Sequence, residues 1–504
     1  MLYNLYQIFA DCNSNISIHY ISVAHKPITR YDYIKRIDYM GTGVSAIVLA
    51  AGHSERFGED KLRLGFDGLP LLAHVLEKIR WLGFDEALLV SGDDELLQLG
   101  ARYGFISVCH TESYLGQSAS IKAGARTAAP GNDLMFFVGD QPLLRRQSIQ
   151  ALLECRANNP NKIVLPTFGG KSGSPVIFPA KYRARLLELE GDKGGKTVIQ
   201  PSDNTEQFHF ADAYEGHDID TREAYERLLI KGSRTVIVRG GGDIATGVVQ
   251  KLWRTGFRPV ILESAAPTAI RRSVALSQAV YNGSAMVEDI TARLIRSTSE
   301  IHGCFEQGVI PVLIDEHASC VKHIGSVAVI DAIIAKRNIG THRGLAPITI
   351  GLGPGFTAPN DVDVVIETMR GHNLGRILHE GMAMPNTGVP GEVGGVAALR
   401  VIHSPVAGKL SIVRDIGETV RTGEILAHIG DTPIIAPICG LLRGMIQCGL
   451  HVRSGQKIAD IDPRETERDN WRTISDKSRA IGGAVLEALL SEIHKRRETI
   501  SHEH

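Results

Sequence analysis

One run of thirteen residues, Leu49-Ala50-Ala51-Gly52-His53-Ser54-Glu55-Arg56-Phe57-Gly58-Glu59-Asp60-Lys61, combines the groups that hold a polyphosphate. Gly52 and Gly58 let the backbone come close to a ligand with its N–H groups turned inward, while Arg56 and Lys61 can neutralise phosphate charge. The run follows an apolar stretch, Val44 to Leu49, which reads as a buried parallel strand. Asp140 closes a second apolar stretch, Met135-Phe136-Phe137-Val138, so its carboxylate is carried on a rigid support. A hard cation such as Mg²⁺ takes carboxylate and phosphate oxygens, which makes Asp140 a candidate metal ligand. Asp220 is a candidate second ligand; a cap on the helix expected from Thr221 is the equal alternative.

The pattern Leu-Ala-Ala-Gly-x-Ser-x-Arg-x-Gly-x-x-Lys resembles the signature of the nucleotidyltransferases related to molybdenum cofactor cytidylyltransferase. Further matches follow in order: Gly116 to Gly124, Gly139-Asp140-Gln141-Pro142, Gly173-Ser174-Pro175-Val176, Gly191 to Gly195 and Asp218 to Thr221. The resemblance implies attack of a phosphate-monoester oxygen on the α-phosphorus of CTP, with molybdopterin as acceptor, Mg²⁺ as cofactor and pyrophosphate as leaving group. It implies catalytic roles for Arg56, Lys61 and Asp140. Nucleotide contacts are implied for Leu49, Ala50, Ala51, Gly52, Ser54, Gly58, Gln117, Ser118 and Ser120, and acceptor contacts for Gly173, Ser174 and Pro175. Guanylyl members tend to carry Gly where Ala51 stands, which favours CTP. Two positions depart from the family: Phe57 stands where Met is usual, and Ser174 where Asn or His is usual. Rival readings are a sugar-phosphate or guanylyl-type nucleotidyltransferase and a non-catalytic cofactor-binding chaperone.

A chain of 504 residues has room for two or three domains. Its net charge of −1 offers no electrostatic case for nucleic acid or an anionic membrane. No apolar window is long enough for a membrane span. Seven scattered cysteines without a Cys-x-x-Cys pair fit a reducing cytoplasm rather than a disulfide framework. Residues 1–39 contain no glycine and six of the twelve tyrosines, and Met40 follows them, so a non-native or disordered extension ahead of a start at Met40 is expected.

Between residues 40 and 230 the pattern alternates. Val44–Leu49, Glu86–Val90, Leu134–Val138 and Ile163–Pro166 read as strands, and Leu71–Trp81, Ser120–Ala128, Arg146–Arg156 and Thr221–Ile230 as helices. The expected fold is α/β: a doubly wound, mainly parallel sheet with ligands at the carboxyl ends of its strands. A Rossmann-like α/β domain is expected over 234–400. There Thr235–Arg239 is a strand and Gly240-Gly241-Gly242-Asp243-Ile244-Ala245 satisfies Gly-x-Gly-x-x-Ala. Glu263 ends the next strand where a dinucleotide fold places its ribose-binding acid. Gly240, Gly242, Asp243 and Glu263 are therefore candidate contacts for a dinucleotide such as NAD. Val327–Ala335 continues the pattern, and Glu367, Arg370, His372 and Arg376 cluster after an apolar strand, which suits an anionic ligand.

Residues 404–429 align without a gap on 436–461, at an offset of 32, with Gly408, Gly417 and Gly423 matching Gly440, Gly449 and Gly455. Two interlocking β units are expected over 401–465, resembling the barrel-sandwich hybrid of biotinyl and lipoyl carriers; Gly430-Asp431-Thr432-Pro433 lacks the carrier lysine. Residues 466–504 are expected to supply a C-terminal helix, with an apolar stripe from Ile481 to Ile493, and a charged tail that frays after Arg497. Gly240–Gly247, Arg271-Arg272, Glu367–His372 and Ile474–Lys477 resemble the accessory family that accompanies selenium-dependent molybdenum hydroxylases. That resemblance implies a molybdenum hydroxylase apoprotein as partner and supplies no catalytic residue.

Overall fold

The computed structural model describes residues 42–51, 57, 60–110, 116–386, 395–396 and 398–502. The extension expected at 1–39 lies outside the described residues, as do Gly52, Ser54, Arg56 and Gly58 of the phosphate loop.

In the first half, Val44–Leu49 is a central strand of a sheet in the order Thr205–Phe210, Ile163–Phe168, Val176–Phe178, Asp133–Val138, Val44–Leu49, Glu86–Ser91, Ile106–Cys109. Only Val176–Phe178 and the short Lys171–Ser172 run antiparallel to their neighbours. Side chains alternate across a strand. Val44, Ala46 and Val48 therefore pack with Leu72, Leu76 and Ile149 on one face, while Ile47 packs with Ile121, Ala125 and Phe136 on the other. Burial on both faces is why the strand reads as continuously apolar. The helix Gln117–Thr127 lies so close to the sheet that a Cβ on Gly124 would stand 2.5 Å from Ile47 Cγ2. Strand connections diverge at Val44–Leu49, which pairs in parallel with Glu86–Ser91 on one side and Asp133–Val138 on the other. That is a topological switch point, with a crevice at the carboxyl ends.

The second half repeats the principle with a nine-stranded sheet. Its parallel centre includes Arg258–Glu263, Thr235–Arg239, Ala328–Asp331 and Ile348–Leu352, and both edges close with antiparallel strands. Its switch point falls between Thr235–Arg239 and Ala328–Asp331. The segment expected to extend from Val327 to Ala335 is a strand only over Ala328–Asp331; beyond it Ile334 and Lys336 adopt left-handed φ values of 58° and 61°.

The β module comprises two four-stranded sheets. One contains Val401–His403, Lys457–Asp462, Gly440–Met445 and Thr419–Val420, the other Thr432–Ile435, Ile425–Ile429, Gly408–Ile412 and His451–Val452. Each sheet takes one short strand from the opposite half of the repeat, so the halves interlock and share one core.

The C-terminal helix runs from Asp476 to His502. It continues past Arg497, where fraying was expected, because Arg497 donates to the carbonyls of Ile230 and Lys231 at the end of the helix Arg222–Gly232 and Ile500 is buried. Its stripe of Ile481, Val485, Leu489 and Ile493 is buried against the second domain, whereas Leu490 is exposed.

A tight hairpin, Gly65–Phe66 and Leu69–Pro70, joins the two halves. Gly68 N–H donates to Ile324 O at 2.8 Å. At the tip, Asp67 Oδ1 accepts from Ser233 Oγ at 2.8 Å, Arg234 N at 2.9 Å, Thr235 N at 3.1 Å and Thr235 Oγ1 at 3.0 Å. One carboxylate oxygen thus caps the start of the second domain's central strand.

Candidate active site at the first switch point

Asp60 starts the site. Its Oδ1 accepts from Leu62 N at 3.1 Å and closes the short turn Lys61–Arg63, while Arg63 is paired with Asp60, Asp93 and Glu95. With Arg63 anchored outward, Lys61 is directed to the carboxyl ends of the central strands. Its Nζ lies 2.5 Å from Asp140 Oδ2 and 2.6 Å from Asp220 Oδ1. Burial pulls the Lys61 pKa down, but the two carboxylates prevail and hold it above the ordinary lysine value.

Asp140 is held from both sides. Gly139 N–H donates to Leu49 O at 3.0 Å, and Asp140 O accepts from Ile219 N at 3.2 Å. The second contact ties the Asp218–Asp220 segment to the strand end and brings a third acid close. Burial drives Asp218 up to about 6, with the charges of Asp140 and Asp220 adding to the effect and a hydrogen bond from Gln141 Nε2 at 2.8 Å opposing it.

Beside these groups lies a cleft of about 340 Å³, lined among others by Leu49, Ala50, Ala51, Gln117, Ser120 and Asp192. Three separate stretches of the sequence thus meet. Ser118, expected to touch nucleotide, is buried beneath the helix start, where its N–H donates to Gly191 O at 3.3 Å. Gly173, Ser174 and Pro175, expected on the acceptor side, connect Lys171–Ser172 to Val176–Phe178 and do not line this cleft. Asp192 had no assigned role from sequence. Its Oδ1 accepts from Gln117 N at 3.2 Å, and Gly116 fits only as glycine because a Cβ would stand 2.7 Å from Gly191 O. The Gly191-Asp192 match was the available signal.

Among the described residues, no three acidic, His or Cys side chains are grouped so as to enclose a metal. Mg²⁺ is commonly held by one or two carboxylates, with phosphate and water completing its shell. Asp140 and Asp220, both beside Lys61 at the strand ends, offer oxygen donors of that kind.

In the second domain Glu263 faces the glycine loop: its Oε2 accepts from Gly241 N at 2.7 Å and its Oε1 from Ser264 N at 2.8 Å. Gly240 has φ of +91°, and Gly241 packs against Ser277, whose N–H donates to Gly241 O at 2.8 Å. Gly242 caps the helix Asp243–Arg254. The acid therefore holds the turn in place, and of the four candidates only Asp243 lines a cavity described below.

The lysine and its two carboxylates stand at the carboxyl ends of a doubly wound sheet, where such folds bind their ligands. Residues 46–207 match the MobA-like NTP transferase domain. The chain is 47% identical over 264 residues to YqeB of Escherichia coli (strain K12), covering 52% of this chain and 49% of that protein. It thus spans about half the length of that relative. It is also 29% identical over 132 residues to a protein of Natranaerobius thermophilus named probable molybdenum cofactor guanylyltransferase, covering 26% of this chain and 63% of that one. Among solved structures, the Mycobacterium tuberculosis Rv0371c homologue from Mycobacterium sp. strain JC1 aligns with TM-score 0.34 and 26% identity over 38% of this chain and 98% of that chain. Among the described residues no helix is long and apolar enough to cross a membrane.

Proposed function

We propose that the first domain transfers the cytidylyl group of CTP to molybdopterin with release of pyrophosphate, and that the second half serves maturation of a molybdenum hydroxylase. The observation that carries the transferase reading is Lys61 held between Asp140 and Asp220 at the mouth of the Leu49–Ala51 cleft. The strand ends and the start of the helix Gln117–Thr127 position the nucleotide along the cleft. Lys61 meets the triphosphate and offsets negative charge as it builds. An acceptor phosphate oxygen attacks the α-phosphorus, a new P–O bond forms, and the bond to the bridging oxygen breaks with its electron pair leaving on pyrophosphate. Such a transfer depends on in-line alignment and charge neutralisation, so no protein nucleophile is required. Asp140 and Asp220 would hold Mg²⁺, which when bound screens the triphosphate and polarises its α-phosphate.

Ala51 supports CTP; the similarity to a named guanylyltransferase supports GTP as the second reading. Equimolar CTP and GTP offered with molybdopterin and Mg²⁺ separate them by product mass. A cytidylylated product is expected, a guanylylated one moves the reading to GTP, and turnover only with sugar phosphates rejects the pterin acceptor.

A further inference from the structure

Two connected cavities, of about 650 and 500 Å³, lie where the second domain, the β module and the start of the C-terminal helix meet. They share Arg271, Arg370, Arg443 and Ser475. Nine basic side chains line them against six acidic ones, in a chain whose net charge is −1.

Most of those acids are already engaged. Asp476 grips Arg370 in two hydrogen bonds of 2.7 and 2.8 Å, and Asp462 grips Arg464 in two of 2.9 and 2.8 Å and accepts a longer one from Arg443 Nη1 at 3.3 Å. Asp460 pairs with Arg400, and Glu367 accepts from the backbone N–H groups of Met369 and Met384, both at 2.7 Å. Arg271 is different. It is only 8% exposed, and its Nε and Nη1 are buried without a hydrogen-bond partner. Its Nη2 reaches Thr473 O at 3.2 Å, and the Asp243 carboxylate stands 3.6 Å from Nη1.

A buried guanidinium left with unmet donors is costly unless an anion completes it. Arg271 cannot swing away, because the chain is pinned on either side of it. Met445 N donates to Ile270 O at 2.8 Å, and Arg272 Nε donates to Met445 O at 2.7 Å. Burial also lowers the pKa values of Arg271, Lys457 and Lys477; neighbouring cations add to that lowering, and Asp243, with other acids, opposes it without reversing it. Basic side chains outnumber acidic ones around the two cavities, nine to six. Opposite them Ile244, Ile334, Pro354 and Met369 form an apolar wall.

We propose that this junction binds a small organic pyrophosphate, with Arg271 and Arg443 on the phosphates and the apolar wall against the organic part. The site is independent of the transferase cleft and lies at the carboxyl ends of the second sheet, beyond strands Ala328–Asp331 and Val364–Ile366.

Calorimetry on the full chain without divalent cations tests this, using a Lys61→Ala background to weaken the first cleft. Inorganic pyrophosphate is expected to bind, CDP to bind more tightly through the wall, and both to weaken at least tenfold with Arg443→Gln. Arg271→Met is expected to abolish the rise in melting temperature that pyrophosphate gives, without lowering the melting temperature of the unliganded protein. Pyrophosphate binding unchanged by both variants overturns the site. A fall in unliganded melting temperature with Arg271→Met, with ligand stabilisation retained, makes Arg271 a structural residue and overturns it too. CDP binding no more tightly than pyrophosphate removes the organic part.

Discussion

Lys61 sits 2.5 and 2.6 Å from two acids that lie 79 and 159 residues away in sequence. Replacing it with Ala removes the described cation nearest the proposed α-phosphate, and kcat should fall by about 10²–10³, as when one charge-stabilising group is taken from a preorganised site. Steady-state pyrophosphate release reads this, and an unchanged kcat would reject the role. A second residue carries a pH dependence of folding. His74 Nε2 lies 2.6 Å from Phe66 O, and burial, with Lys78 and His302 adding and Asp67 opposing, lowers its pKa to about 4. The unfolded chain, with an ordinary imidazole, binds the extra proton first, so this contribution is fully present above about 6.5 and is lost as pH falls toward 4. The lost stability is up to about 3 kcal/mol at 1.36 kcal/mol per unit. Denaturant midpoints at pH 7 and pH 4.5 should differ less in His74→Gln than in the wild type; equal differences would contradict the assignment.

Helices and strands were legible where one force dominates. Val44–Leu49 and Thr235–Arg239 form as their apolar runs predict, since strands covered on both faces carry mostly apolar positions, with Ser45, Thr235 and Arg239 the buried polar exceptions. The 32-residue offset likewise maps Gly408–Ile412 onto Gly440–Met445 and Ile425–Ile429 onto Lys457–Asp462. What remained hidden depends on contacts distant in sequence. Glu263 stands where a ribose-binding acid belongs, yet its orientation toward Gly241 N follows from the loop's packing on Ser277. Asp192 and Arg271 acquire their places only when other segments close over them. The close crossing of helices Asp243–Arg254 and Asp476–His502 also lies at this level: a Cβ on Gly247 would stand 2.5 Å from Ser478 O, which is backbone. Gly247→Ala should therefore destabilise by about 1–3 kcal/mol despite alanine's better helix propensity. A thermal melt showing stabilisation would contradict that contact.

Across the molecule, one hairpin and one helix join the first-domain cleft to the second domain. The turn that aims Lys61 leads within a few residues to Asp67, and the C-terminal helix reaches back to Ile230 and Lys231. Asp67→Ala leaves four donors without their shared acceptor, at a cost of about 1–3 kcal/mol for each that stays buried and unmet. Calorimetric unfolding should then broaden or split into two transitions; a single transition at the wild-type temperature would show that Asp67 does not couple the halves. The coupling gives a physical basis for carrying the proposed transferase and the second domain on one chain, since a ligand that orders one half changes the footing of the other. The account rests most heavily on the acids at the first switch point. Its most direct test is pyrophosphate released from CTP with molybdopterin and Mg²⁺, by the full-length wild type and by Asp140→Ala with its fold checked by circular dichroism. Acceptor-dependent release by the wild type, reduced about 10²-fold or more in the variant, is the predicted result. Undiminished release by Asp140→Ala, or none by the wild type with either CTP or GTP, would contradict it.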